Sequence, residues 1–213
     1  MHFLFPATCI LCGNLSRRKL DLCSACEDDL PFIKNDDLIA KRLTRTQIIT
    51  LFHYHPPIDS LLLGLKFSNR LLHANVLGRL LANYLDAYYQ QHEKPEIIVP
   101  VPLHRLRLQE RGYNQALELA RPIEKRLKIK IAKFKAKRIK NTLAQAQLPA
   151  KQREQNITQA FQLATKPICK HLAVIDDIIT TGSTVNELCQ LFYQEGVTKI
   201  DIWCCAQAHA YAS

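Results

Sequence analysis

The stretch Val174-Ile175-Asp176-Asp177-Ile178-Ile179-Thr180-Thr181-Gly182-Ser183-Thr184 organises the reading of the whole chain. It starts in an apolar run, Leu172 to Ile175, that reads as a buried strand. Two adjacent carboxylates, Asp176 and Asp177, close that strand at the end where parallel α/β sheets hold ligands. A hydroxyl-rich loop around one glycine follows and opens into a helix predicted over Ser183 to Glu195. Such a loop can aim several backbone N–H groups at one anion, with the positive end of the helix dipole behind them. Gly182 removes the side chain that would block the approach, and Thr180, Thr181, Ser183 and Thr184 add hydroxyls. Acids beside an anion cradle suit a ligand with alcohols at one end and a phosphate at the other, such as a ribose 5-phosphate. Carboxylates below that ring would also favour positive charge developing at the anomeric carbon. An ordinary strand-turn-helix with one capping hydroxyl leaves the paired aspartates without a role. The six glycines (13, 64, 78, 112, 182 and 196) form neither GxGxxG nor a Walker loop.

Outward from this stretch, strand and helix patterns alternate. Gln47 to Tyr54, Glu96 to Val101 and Val197 to Ala206 read as strands; Ile58 to Phe67, Leu71 to Tyr89 and Asn114 to Leu127 as helices. Pro122 must kink or interrupt the last of these. Cys204 and Cys205 must face opposite sides of their strand. This order implies a parallel α/β sheet flanked by helices. Asn141 to Gln155 is polar, Gln-rich and without periodicity.

Cys9, Cys12, Cys23 and Cys26 form two CxxC pairs. Two such loops put four thiolates on one tetrahedral zinc, leaving no open position for catalysis. Arg17, Arg18 and Lys19 between the pairs favour thiolate over thiol. A disulfide framework and redox CxxC chemistry are the competing readings; the absence of a secretory signal in Met1 to Pro6 argues against the first, and two pairs in one short segment argue against the second. Residues 1–40 are therefore expected to be a small zinc module and residues 41–213 the main domain. His53 and His55 would share a strand face, but no third metal ligand lies near them in sequence.

The 213 residues are 47% hydrophobic and 23% charged, which fits a globular chain with a real core rather than a disordered one. No apolar run is long enough to span a bilayer, so the expectation is a cytoplasmic protein. The net charge of +10 is uneven: residues 1–40 carry −2, while residues 121–140 alone carry +9. Within that segment Lys128 to Lys137 reads as one strand, with Lys128, Lys130, Lys133, Lys135 and Lys137 alternating against apolar residues. Those lysines either protect an edge strand from aggregation or bind polyanion phosphates, single-stranded DNA among them. Phe134 alone interrupts them as an aromatic, so no base-stacking platform is evident.

Asp176 to Thr184 resembles the phosphoribosyl-pyrophosphate (PRPP) signature of type I phosphoribosyltransferases. With the double CxxC, Pro100-Val101-Pro102-Leu103 and Arg111-Gly112-Tyr113-Asn114-Gln115, the chain is similar to the ComF competence family. Arg138, Thr142, Gln145, Leu148, Arg153, Asn156, Ala160 and Phe161 extend the match. The resemblance implies a phosphoribosyltransferase-like sheet in which Asp176 and Asp177 act on the ribose hydroxyls. Ile178 and Thr180 to Thr184 would hold the 5′-phosphate, and Val101, Leu103 and Arg111 would border the pyrophosphate. Because Pro100 and Pro102 lack N–H groups, Val101, Leu103, Arg105 or Arg107 must serve that pyrophosphate instead. Arg138, Thr142, Gln145 and Arg153 would lie on a flap, and Mg²⁺ would bind through PRPP oxygens. Arg111, Asn114 and Gln115 either meet the ligand or cap a helix. Two functions follow from the resemblance. One is a PRPP-site protein handling single-stranded DNA during natural transformation, with a possible protein partner in the uptake machinery. The other is a phosphoribosyltransferase acting on an unidentified acceptor, unrelated to DNA.

Overall fold

The computed structural model describes residues 8–16, 20–33, 46–132, 136–140 and 160–208. Five parallel strands form the central sheet: β1 (Thr46–His53), β2 (Ile97–Pro100), β3 (Lys130–Ile131), β6 (His171–Ile179) and β7 (Lys199–Gln207). Their order is β1-β7-β6-β2-β3. A separate antiparallel pair joins β4 (Ala136–Arg138) to β5 (Phe161–Leu163). The helices are α1 (Ser24–Asp28), α2 (Ile58–Phe67), α3 (Leu71–Tyr88), α4 (Arg105–Arg111), α5 (Gln115–Leu127) and α6 (Ser183–Gln194).

Both faces of the sheet are covered, which is why its central strands are apolar without alternation. One core holds Leu62 and Leu65 of α2, Leu77 and Leu81 of α3, and Leu119 and Ile123 of α5 against Ile175 and Trp203. The other holds Leu188 and Phe192 of α6 against Val174 and Ile202. Cys205 lies in the first core and Cys204 in the second, as the pleat requires. Near the start of β6, Tyr89 stitches the layers together. Its hydroxyl donates to Asp201 Oδ2 (2.5 Å) and accepts from Trp203 Nε1 (3.0 Å), and His171 Nε2 lies 2.9 Å from the same carboxylate oxygen.

The cysteine-bearing segment docks on the outer edge of β1. His53 N–H donates to the Pro31 carbonyl, Ile33 N–H to the Leu51 carbonyl, and the Phe32 and Phe52 rings lie 4.9 Å apart. Cys9, Leu22 and Leu30 belong to the first core, so this segment and the sheet bury apolar surface jointly.

Three sequence expectations change. The Lys128–Lys137 strand is not one strand. Lys128 ends α5 in the left-handed conformation (φ 62°), Lys130–Ile131 pairs with β2, and Ala136–Arg138 pairs with β5. Strand β2 is four residues long and β3 pairs with two of them, so charge alternation overstated the ladder available. Lys133 and Lys135 lie outside the described residues. Pro122 does not interrupt α5; it packs where Gly78 of α3 lets the helices approach. The stretch His104 to Glu110, for which no element was expected, is mostly helix α4, capped by the His104 ring on the Leu106 N–H.

Candidate functional site

The strand order places a switch point between β6 and β2. From β6 the chain crosses by α6 on one face to β7; from β2 it crosses by α4 and α5 on the other face to β3. The two connections diverge and leave a crevice beyond the carboxyl ends of β6 and β2, where α/β sheets take ligands. Asp176 and Asp177 sit there.

Strand β6 runs further than the apolar pattern suggested, through Ile179, so both aspartates are strand residues, as expected, and lie just short of its end. Asp176 pairs in register with Cys204. Its Oδ1 accepts from the Asp177 N–H at 2.9 Å, and the side chain remains partly exposed. Burial, and then the charge of Asp177 beside it, pushes its carboxyl up to about 8. Burial also raises the Cys204 thiol, with Asp176 adding to it.

Asp177 is only 4% exposed and is held from two sides. Its Oδ2 lies 2.8 Å from Lys66 Nζ, and its Oδ1 accepts from the Ile178 N–H at 3.0 Å. Burial disfavours the ammonium of Lys66, but the Asp177 charge, with Asp176 behind it, outweighs burial and raises its pKa. Lys66 is the site residue that sequence reading missed. It is the single base of α2, in the last turn, and a lone base there signals only a helix C-terminus.

The loop itself is short. Gly182 adopts φ 73°, the left-handed region that a side chain resists, and serves as N-cap of α6 without a side-chain cap. The Thr181 and Ser183 hydroxyls lie 2.7 Å apart. The twelve-residue helix thus starts beside the acid pair without a cap from its own N-cap residue, although the Ser183 N–H donates to Thr181 Oγ1 at 3.5 Å.

Opposite, Val101 is buried, donates its N–H to the Ile175 carbonyl and accepts at its own carbonyl from Asn114 Nδ2, both at 2.9 Å. The ladder consumes the amide that sequence reading offered to a ligand, so Val101 supplies shape and Leu103 is the partly exposed backbone beyond it. Asn114 is a helix cap: its Oδ1 accepts from Ala116 and Leu117 N–H. Gln115 is buried and accepts from Arg111 Nη1 at 2.5 Å, while the Arg111 guanidinium lies 5.8 Å from the Phe67 ring centre.

Arg138 stacks over Phe161 at 5.5 Å, and its strand bridges to His104 in the loop after β2. Burial, and then the charge of Arg107, lowers its pKa, with Asp176 acting in the other direction. Burial, and then the charge of Arg111, does the same to Arg107. The crevice therefore joins an acid pair to a half-buried group of arginines. Thr142, Gln145 and Arg153 lie outside the described residues.

At the N-terminal segment the four sulfur atoms of Cys9, Cys12, Cys23 and Cys26 lie within 4.8 Å of one another, and Cys12 and Cys23 are 3.8 Å apart. A tetrahedron with metal–sulfur bonds of about 2.3 Å has edges of about 3.8 Å, so the cluster has the size of a zinc site. All four are free thiols rather than disulfides. Gly13, at φ 74°, turns the first knuckle, and its N–H donates to the Cys9 carbonyl. Arg17, Arg18 and Lys19 lie outside the described residues.

The double zinc ribbon domain family matches residues 1–37. Competence protein F of Haemophilus influenzae is 34% identical, across 98% of this chain and 100% of its own. DNA utilization protein YhgH of Escherichia coli K12 is 31% identical across 92% and 88%. A purine phosphoribosyltransferase from Pyrococcus horikoshii Ot3 superposes on 76% of this chain and 79% of its own, with a TM-score of 0.36 and 15% identity. Among the described residues no helix is long and apolar enough to cross a membrane.

Proposed function

This chain belongs to the family of Competence protein F and DNA utilization protein YhgH, and from that premise we propose that it binds a ribose phosphate, PRPP foremost, while handling single-stranded DNA in the cytoplasm during natural transformation. The observation that carries the ligand reading is the acid pair near the end of β6 followed at once by the Gly182-capped start of α6, at the switch point. The phosphate sits on the N–H groups of residues 182–184 with hydroxyls from Thr180, Thr181, Ser183 and Thr184. Asp176, destabilised as a carboxylate, gains most from a sugar hydroxyl donated to it. Asp177 acts second, because Lys66 and the Ile178 amide already hold its oxygens. Arg138, beside Asp176, and Arg107 next to it serve as the pyrophosphate ligands, with Arg111 behind them. Mg²⁺, when bound with PRPP, neutralises phosphate charge through the ligand's own oxygens and retained waters. Zinc at Cys9, Cys12, Cys23 and Cys26 is structural.

The test is calorimetric titration of PRPP with Mg²⁺ into the full chain and into Asp176→Asn/Asp177→Asn. The expected result is saturable heat in the first and none in the folded second; equal heats remove the ribose assignment. The arginine group favours a second reading, a transferase that releases pyrophosphate to an acceptor. Pyrophosphate appearing only when a particular base or amine is added would establish it.

A further inference from the structure

On the outer side of the first helical layer, α3 and α5 leave a groove of about 670 Å³. They touch at its floor because Gly78 has no side chain: a Cβ there would come within 2.7 Å of the Leu119 carbonyl oxygen and 3.0 Å of Pro122. Above the floor the walls are cationic, with Arg79 on α3 and Arg121, Lys125, Arg126 and Lys128 on α5 and its cap. Arg121 and Lys125 follow i, i+4 on one face of α5, and Lys128 caps the helix one turn on and lines the same groove. At a rise of 1.5 Å per residue they stand about 6 and 10 Å along the axis, a line of charge rather than a point.

Two acids temper the line: Glu118 lies 2.8 Å from Arg121, and Asp86 lies 2.9 Å from Arg126. Lys125 and Lys128 are exposed, and among the described residues neither has an acidic partner. Among the described residues the only large apolar side chain lining the groove is Leu71, and no aromatic lines it. A protein interface centres on buried aromatic or large apolar anchors, which this groove lacks. A chain of phosphates needs the opposite, repeated cations along a path and nothing base-specific.

We propose that the α3–α5 groove binds the phosphodiester backbone of single-stranded DNA without regard to sequence. This rests on the DNA-handling half of the function proposed above and not on its ribose-phosphate half. The basic segment 121–140 thus works through its helical part, Arg121 to Lys128, rather than through a lysine-faced strand.

The experiment is fluorescence anisotropy of a labelled oligothymidylate against the full chain over rising salt. Arg121→Gln/Lys125→Gln/Lys128→Gln is expected to weaken binding roughly tenfold and to flatten the log–log salt slope by about 2, at about 0.7 per lost contact. Lys130→Gln/Lys137→Gln, exposed positions outside the groove, is expected to bind as the parent chain does. Lys125→Glu alone gives the same direction should the triple variant fold poorly. A groove variant with parental affinity and slope overturns the assignment while leaving DNA handling intact. Displacement by polyglutamate as readily as by unlabelled oligothymidylate also overturns it, in favour of an acidic polypeptide. A parent chain that ignores the oligonucleotide removes the DNA-handling half itself, and PRPP titration then shows whether the ribose-phosphate half survives.

Discussion

Replacing Asp176 by Asn should stabilise the fold while removing its ligand. The Asp176 carboxyl is pushed to about 8, first by burial and then by Asp177. Against an unfolded value of about 3.9 that is roughly 4 units, or at most about 5 kcal/mol at 1.36 kcal/mol per unit. Partial exposure and an effective dielectric nearer 20 than 4 reduce this to about 2–3 kcal/mol. The sign follows from the direction of the shift. A raised acid contributes stability in its protonated form, fully below about pH 4, and that contribution is lost as pH climbs through about 8. Asn has no proton to lose, so the gap between variant and parent opens across that window. It should be under about 1 kcal/mol at pH 5 and about 2–3 kcal/mol at pH 9, where it raises Tm by about 4–12 °C for a chain of this size. Thermal unfolding of both proteins across pH measures it. A gap that stays flat with pH, or a variant that melts lower at pH 9, would refute the claim that the strand holds this carboxylate at a cost.

Lys66→Met should behave in the opposite way, losing about 1–3 kcal/mol because Asp177 is left buried without its cation; Lys66→Met/Asp177→Asn should recover most of that loss in a denaturant titration. Cys12→Ser should lower bound zinc from one ion per chain to a small fraction by elemental analysis, and Tm should fall because Cys9 and Leu22 belong to the main core. Tyr89→Phe removes the hydroxyl shared by Asp201 and Trp203 and should cost about 1–3 kcal/mol. Its PRPP titration should match the parent chain, because the network lies near the amino end of β6, away from the crevice.

The parts of the fold legible in sequence were those where periodicity reports burial directly. Ile58 to Phe67 and Leu71 to Tyr88 each show a helical apolar stripe, and the runs ending at Ile175 and Ala206 are buried on both faces. The lysine-rich stretch misled because alternation of charge describes a surface, not a partner: two strands in different sheets carry the same pattern as one. Helix α4, Arg105 to Arg111, contains no buried residue and so leaves no stripe. At the site, the aspartates and the glycine were visible because their spacing along the chain is their spacing in space. Lys66 and Arg138 reach the aspartates from distant segments, with Arg107 beside Arg138, and nothing local to them announces that meeting. Asp201 could be noticed as a lone acid in an apolar strand, but Tyr89 and His171 as its partners could not.

Crystals of the full chain soaked in ribose 5-phosphate address the site without intermediaries. The account predicts phosphate density on the amides at the start of α6, with a sugar hydroxyl within hydrogen-bonding distance of Asp176. A sugar bound elsewhere, or a loop from Thr180 to Thr184 that stays empty at saturating ligand, would contradict it.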